Sequence, residues 1–303
     1  MAADDTMCCA SCGKAEIDDM KKLKKCDGGC DLVKYCRDEC QENHREQHEE
    51  ECKKRKAEIR DRDLFEQPDS SCYGDCPICC LPLSLDIRKA NMMSCCSKLI
   101  CDGCDYANKK REYEAGLEQR CAFCREPVAK SQKEVHKNVM KRVKKNDPVA
   151  MRVMGEKRFS EGDYESALKY STKAAELGDA DAHNMVARMY YEGEGVEKDE
   201  KKAIYHLEQA AIAGHLGTRH NLGSIEINNR RFDRAKKHWI IAANLGDDES
   251  LKKLMKLHEI GQASKEEYAN ALRAYQAAVE ATKSAEREKA EEALLVNDPF
   301  VAS

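Results

Sequence analysis

Downstream of residue 148 the apolar positions follow a helical rhythm, with Ala, Leu, Met and Tyr recurring at helical spacing. Three segments echo one another: A-A-E-L-G-D at 174–179, A-A-I-A-G-H at 210–215 and A-A-N-L-G-D at 242–247. Their glycines, Gly178, Gly214 and Gly246, stand 36 and 32 positions apart. A glycine just past a helix permits a sharp turn into the next one, and a period of this size marks stacked helix pairs. Small alanines allow close helix crossings, and Tyr190, Leu207, Leu222 and Trp239 are expected to fill the interior. A last pair opens on the capping box S-K-E-E at 264–267 and runs into a long charged helix expected to fray after Ala285. Four helical pairs are predicted over 148–290, followed by a tail at 291–303. Such arrays present a concave groove to peptides or partner proteins. Asn184 and Asn221, just before the M-V and L-G steps, are candidate groove residues. The plain alternative is that they hold neighbouring repeats together.

The first half of the chain has a different texture. All 18 cysteines lie between Cys8 and Cys124. No basic start and apolar run mark a secretory signal, so a disulfide scaffold is not expected. Metal-bound thiolates in a reducing compartment fit instead, which places the protein in the cytoplasm or nucleus. No stretch approaches the roughly 20 apolar residues of a membrane span, so no membrane partner is expected. A net charge of −4 with 36% charged residues of both signs argues against a nucleic-acid-binding surface. Short basic runs at 21–25, 53–56 and 141–145 read as solvated faces, with nuclear import as the alternative. No phosphate loop, nucleophile elbow or H-E-x-x-H motif is present.

Within residues 8–52, Cys9-x2-Cys12 is followed by Cys26-x3-Cys30, then Cys36 and Cys40, with His48 and Cys52 closing the run. The last two pairs are four apart, so each shares one face of a short helix and can reach one ion. Cys8 is an alternative to Cys9, and His44 competes with His48. The arrangement resembles a MYND-type zinc finger. That resemblance implies one zinc on Cys9, Cys12, Cys36 and Cys40 and another on Cys26, Cys30, His48 and Cys52. The family's fingers bind proline-rich peptides with the help of a Trp three residues before the His. Here that position is Arg45, which leaves a zinc-stapled structural knuckle as an equal reading. Residues 53–71 form a charged linker that extends the last helix and ends at the breaker Q-P-D-S-S.

Residues 72–128 carry C-P-I-C at 76–79, the doublet Cys95-Cys96, Cys101-x2-Cys104 and Cys121-x2-Cys124. Two-residue gaps turn both sulfurs of a knuckle onto one tetrahedral ion. The order resembles a RING finger, whose knuckles alternate between two metals. That implies one zinc on Cys76, Cys79, Cys101 and Cys104. The second would take Cys121 and Cys124 with Cys95 and Cys96, or with help from Cys80. Lys98 stands where the family usually has a ligating His, and an ammonium cannot bind zinc. In RING-type ubiquitin ligases the finger positions a charged ubiquitin-conjugating enzyme without covalent chemistry. The resemblance assigns docking to Ile78 and the bracing of ubiquitin to Arg125. Each has a plain alternative, a core residue and a surface charge. The finger's helix is expected over 105–118, ending near Gly116, and a basic linker helix fills 129–147.

The fold class predicted is multidomain: two small zinc-stabilised cross-brace modules followed by an all-α solenoid of Sel1-like, tetratricopeptide-related repeats. About four zinc ions are expected, with Cys8, Cys72 and Cys80 left over. The function expected is a zinc-binding interaction adaptor of ubiquitin-ligase type without a covalent catalytic residue, its partners a conjugating enzyme and a peptide or protein target. A non-catalytic zinc-dependent scaffold is the alternative.

Overall fold

The computed structural model describes residues 9–12, 23–27 and 29–296. It divides into two compact units, Met1–Glu66 and Gln67–Ser303. In the first, strands β1 (Lys24–Lys25) and β2 (Lys34–Tyr35) pair antiparallel, and helix α1 spans Asp38–Phe65. α1 is charged almost all round, and its buried positions are Cys40, His48, Cys52 and Leu64. Over the first four turns ligands thus replace the apolar stripe that normally holds a helix to a core. The cluster beneath them is mostly sulfur: Cys9, Cys26, Cys30, Cys40 and Cys52 around Leu23 and Tyr35. The expected helical extension through the charged segment is present as far as Phe65. Arg55 reaches back from it to Asp31 through two hydrogen bonds of 2.6 and 2.9 Å.

The second unit opens with a strap. The Cys72 N–H donates to the Gly214 carbonyl at 3.0 Å, and Gln67 bonds Ile241 and Asn244. A side chain at Gly214 would meet the Ser70 carbonyl at 2.9 Å, so a glycine is needed there for contact as well as for its φ of +85°. Residues 67–72 are therefore docked on the array rather than free. Strands β3 (Ala90–Met93) and β4 (Lys98–Cys101) form a hairpin with Ala90 opposite Cys101, and α2 (Asp102–Glu114) leaves β4 directly. α2 starts three residues before the expected position and ends short of Gly116, whose φ is +63°. Next, α3 (Gln132–Val143) buries Val139 against Ala150 and Met154. The basic segment thus forms a packed helix at the head of the array.

Eight helices follow as four antiparallel pairs: α4 (Pro148–Ser160) and α5 (Tyr164–Glu176), α6 (Ala180–Glu192) and α7 (Glu200–Ile212), α8 (Leu216–Asn228) and α9 (Phe232–Asn244), α10 (Asp248–Glu259) and α11 (Lys265–Ala281). The residues after the repeated glycines cap the next helix: Asp179, His215 and Asp247 accept from the third backbone N–H at 2.8–3.0 Å. Each such cap contributes about 1 kcal/mol. Leu222 and Trp239 are buried as expected, while Tyr190 and Leu207 are only half-buried. A polar tie runs along the stack. Arg152 on α4 meets Asp179 at 3.3 Å and Asp181 at 3.6 Å, and Asp181 meets His215 at 3.3 Å.

The expectation of a helix fraying after Ala285 is overturned. A separate helix, α12 (Ala285–Leu295), is capped by Ser284 and packs on α2, burying Arg287, Ala290 and Ala293. Its apolar contacts are alanines, too few and too small to stand out among its charges.

Half-buried His183 on α6 and His206 on α7 face each other with Nδ1 atoms 2.9 Å apart. Desolvation, and then the neighbouring His183, lowers the His206 pKa to about 4, and burial lowers His183 too. The folded state therefore takes up this proton later than the unfolded chain does. Its stability is complete above pH 6.5 and falls as the pH drops towards 4. Between pH 7 and pH 5, the wild type is expected to lose about 1 kcal/mol more than His206→Gln in urea unfolding, after allowance for solvent screening. Parallel pH profiles of the two proteins would remove the histidine pair from the account.

Candidate metal centres

The local backbone of the second finger explains how its sulfurs converge. The Cys76 N–H bonds the Leu81 carbonyl at 2.9 Å, and the Cys121 N–H bonds Glu126 in the same way at 2.8 Å. Cys80, Ser97 and Arg125 each follow a cysteine pair and adopt φ of 57°, 58° and 63°. Three turns thus close through a left-handed non-glycine residue, a strained choice tolerated where a ligand set over-determines the chain. Cys80 is spent on one of these turns, and its exposed sulfur joins no cluster among the described residues.

The described residues contain four quartets whose ligand atoms lie within 4.8 Å of one another. They are Cys9, Cys12, Cys36 and Cys40; Cys26, Cys30, His48 and Cys52; Cys76, Cys79, Cys101 and Cys104; and Cys95, Cys96, Cys121 and Cys124. A tetrahedral zinc with bonds of about 2.3 Å sets its sulfurs about 3.8 Å apart. The separations found are 3.6 Å for Cys12–Cys36 and Cys36–Cys40, and 3.8 Å for Cys26–Cys52. They are 3.9 Å for Cys79–Cys101 and Cys96–Cys121, and 3.3 Å for Cys95–Cys124. All greatly exceed the roughly 2.05 Å of a disulfide, and the cysteines described are free. The donor sets fit zinc.

The open alternatives settle on geometry. His48 aims Nε2 at Cys30 Sγ, 3.0 Å away. His44 stacks on it and bonds the Tyr35 hydroxyl through Nδ1 at 3.0 Å, so it braces the site from outside. Cys95 and Cys96 both enter the fourth quartet, and Lys98 is not needed. Cys8 lies outside the described residues. Local donors favour the thiolate at Cys76 and Cys9, whereas burial and neighbouring sulfurs raise Cys36, Cys52, Cys95, Cys96, Cys101 and Cys104. The Cys101 thiol donates to Cys76, and with the N–H groups of Cys79, Cys101 and Ile78 it brings the Cys76 pKa down to about 4 despite burial. Burial raises Cys9, yet the N–H groups of Cys12, Cys36 and Ser11 lower it to about 6.

The candidate partner residues fall apart in space. Ile78, at a knuckle tip, is 42% exposed, and Phe123 at another tip is 44% exposed. Arg125 instead folds onto α2, donating to Asn108 at 2.9 Å and to Glu112 at 2.5 Å. Glu112 is fully buried and also accepts the Arg120 N–H at 2.9 Å. Burial opposes its ionisation, but these two donors hold its carboxyl below the usual carboxylate range. Asn184 accepts from Thr218 of the next repeat at 3.1 Å, the holding role named as the alternative. It also lines a cleft of about 520 Å³ with Tyr73, Arg152, Phe159 and Arg188. Asn221 is exposed on α8 and does not share Asn184's position. It lies one residue further along its helix, about 100° around the axis.

A cysteine-rich, zinc-finger-like region followed by a helical-repeat solenoid defines the chain as a zinc-binding protein-interaction adaptor. Comparison makes this more particular: the MYND finger family matches residues 9–52, and the Sel1 repeat family matches 149–179, 180–215 and 220–247. No curated protein matches the chain. Among solved structures, a Sel1 repeat protein from Oxalobacter formigenes is 25% identical, covering 58% of this chain and 72% of that one with a TM-score of 0.43. Another is c5321, a protective antigen of uropathogenic Escherichia coli displaying an SLR fold. It is 20% identical, with coverage of 55% and 37% and a TM-score of 0.40. Repeats of this kind mediate protein–protein contacts. No helix of the described residues is long and apolar enough to cross a membrane.

Proposed function

We propose that the second finger docks a charged ubiquitin-conjugating enzyme while the Sel1 array holds a target protein, so that the adaptor works by proximity. The observation that carries this reading is the interleaved order of the last two quartets. Cys95 and Cys96 of one lie between Cys79 and Cys101 of the other, which is the cross-braced order of RING-type fingers. Ile78, exposed beside the first quartet, supplies the apolar contact such docking uses. The cleft between Tyr73 and the first repeats offers Asn184, Arg152 and Arg188 to a target segment. Zinc would be structural throughout: four protein ligands fill each tetrahedron and leave no position for substrate.

A second reading is favoured by Arg125. Its guanidinium is held by Asn108 and Glu112, where a ligase would need it turned towards ubiquitin. On that reading the finger joins proteins without promoting transfer. Zinc-loaded full-length protein, shown by native mass spectrometry to carry four metals, should be assayed for autoubiquitination against a panel of conjugating enzymes. The proposal expects activity that Ile78→Ala reduces at least tenfold with all four metals retained. Inertness with every enzyme would leave the scaffold.

A further inference from the structure

Arg287 lies 8% exposed at the start of α12, more than two hundred residues beyond the first knuckle of the second finger. It reaches directly into the turn that carries the first quartet of that finger. Its Nη1 donates to the carbonyls of Pro82 at 2.7 Å and Thr282 at 2.6 Å. Its Nη2 donates to the Leu81 carbonyl at 3.3 Å and to Cys79 Sγ at 3.6 Å. The approach depends on Gly103 in the first turn of α2. A Cβ there would sit 2.7 Å from the Arg287 nitrogen and 2.8 Å from the Glu286 carbonyl carbon. Those are backbone atoms, which cannot swing aside as a side-chain tip can.

We infer that Arg287 is an outer-sphere residue of the Cys76, Cys79, Cys101 and Cys104 site, which makes retention of that ion depend on the end of the solenoid. Four thiolates around Zn²⁺ carry a net charge of −2. In a desolvated setting that excess needs a nearby cation or N–H donors on sulfur, and groups of this kind tune ligand basicity and metal affinity. Arg287 supplies both at Cys79. Its two carbonyl contacts at Leu81 and Pro82 also pin the chain just past the knuckle, fixing the direction from which Cys79 presents its sulfur. The planar fork suits this position, because a lysine could bring the charge but could not span the same set of acceptors.

The test uses full-length protein loaded with zinc, a chromophoric chelator and the variants Arg287→Gln, Arg287→Lys and Gly103→Ala. In Arg287→Gln, one of four ions is expected to leave at least tenfold faster than in wild type, the two ions of the first finger keeping their rates. Arg287→Lys should recover part of that loss. In protein reloaded with Co²⁺, the sulfur-to-metal charge-transfer band of Arg287→Gln should move to lower energy, because a sulfur that loses its N–H donor holds its electrons less tightly. Gly103→Ala, which keeps the arginine but pushes α12 away, should reproduce both effects. Unchanged release of all four ions would overturn the inference. So would faster release with the Co²⁺ band unmoved in both Arg287→Gln and Gly103→Ala, because α12 would then act by packing alone.

Discussion

Cys76→Ser is expected to reduce the tightly held zinc from four ions to three or fewer and to unfold the second finger, leaving the helical array intact. Cys76 is fully buried. It gathers the Cys101 N–H at 3.5 Å together with the dipoles that lower its pKa. A serine hydroxyl does not ionise near neutral pH, so the site would keep three thiolates and a poor fourth donor. The hydrocarbon that remains cannot compensate. The buried members of this cluster are Cys76, Leu83, Ile100, Cys101 and Cys121, and its sheet is a hairpin of two four-residue strands. A structural zinc contributes on the order of 10 kcal/mol or more, several times what such a core and hairpin can provide. Because the quartets interleave, loss of the first also loosens the segment that carries Cys95 and Cys96, so the second ion should bind more weakly. Cys72→Ser and Cys80→Ser, which alter sulfurs outside the quartets, should keep four metals. Native mass spectrometry and limited proteolysis read the outcome. Four tightly held ions in Cys76→Ser would show that the sulfurs gather for some reason other than metal.

The metal-binding half was legible because ligand spacing is a local property. An x2 gap, or the gap of four between His48 and Cys52 on α1, decides by itself that two donors can meet. Cys36 lies before α1 begins and reaches Cys40 without the helical face expected for that pair. Pairing between distant knuckles needed the family order, and the choice between His44 and His48 needed coordinates. Both imidazoles lie on one face of α1, and the structure sets His44 against the Tyr35 hydroxyl and His48 against Cys30. The array was legible through its glycine period. The Asp179 and Asp247 caps could have been read from the same G-D steps.

What the sequence concealed were contacts between elements far apart in the chain. Arg287 sits in a charged stretch where one more arginine is unremarked, and its role comes from Pro82 and Cys79 some two hundred positions earlier. Arg125 stands at the offset a ubiquitin brace requires. Buried Glu112 takes it instead, and nothing in the local pattern marks that carboxylate as buried. Asn184 and Asn221 match in sequence because each stands just before an apolar step, M-V and L-G. Counted from Gly178 and Gly214 they differ by one residue, and on a helix one residue changes the face.

Trp239→Ala is expected to lower the melting temperature of the second unit by about 10 °C and to speed zinc release from the finger docked on it. The indole is 3% exposed and sits among Ala235, Leu251, Leu254 and Leu257, so it joins α9 to α10. Its Nε1 donates to the His220 carbonyl of α8 at 3.2 Å. Across the pair, Gly223 makes room for it: a Cβ there would lie 2.4 Å from Nε1. A helix interior accepts a glycine at a cost of about 1 kcal/mol only for some return, and the return here is the close seat of the ring. Removing the ring leaves a cavity that the flanking glycine and alanines cannot refill, a loss of about 3–5 kcal/mol. For a unit of this size each kcal/mol shifts the melting point by about 2–4 °C. In a solenoid each repeat is supported by its neighbours, so the damage passes to α10, α11 and then α12. Arg287 rides on α12, and the first quartet of the second finger should release its ion faster even though no ligand has changed. Circular dichroism is the suitable probe, since the variant loses the chain's single Trp. A melting point within 2 °C of wild type, with unaltered zinc release, would mean that the third repeat and the finger do not share stability through this ring.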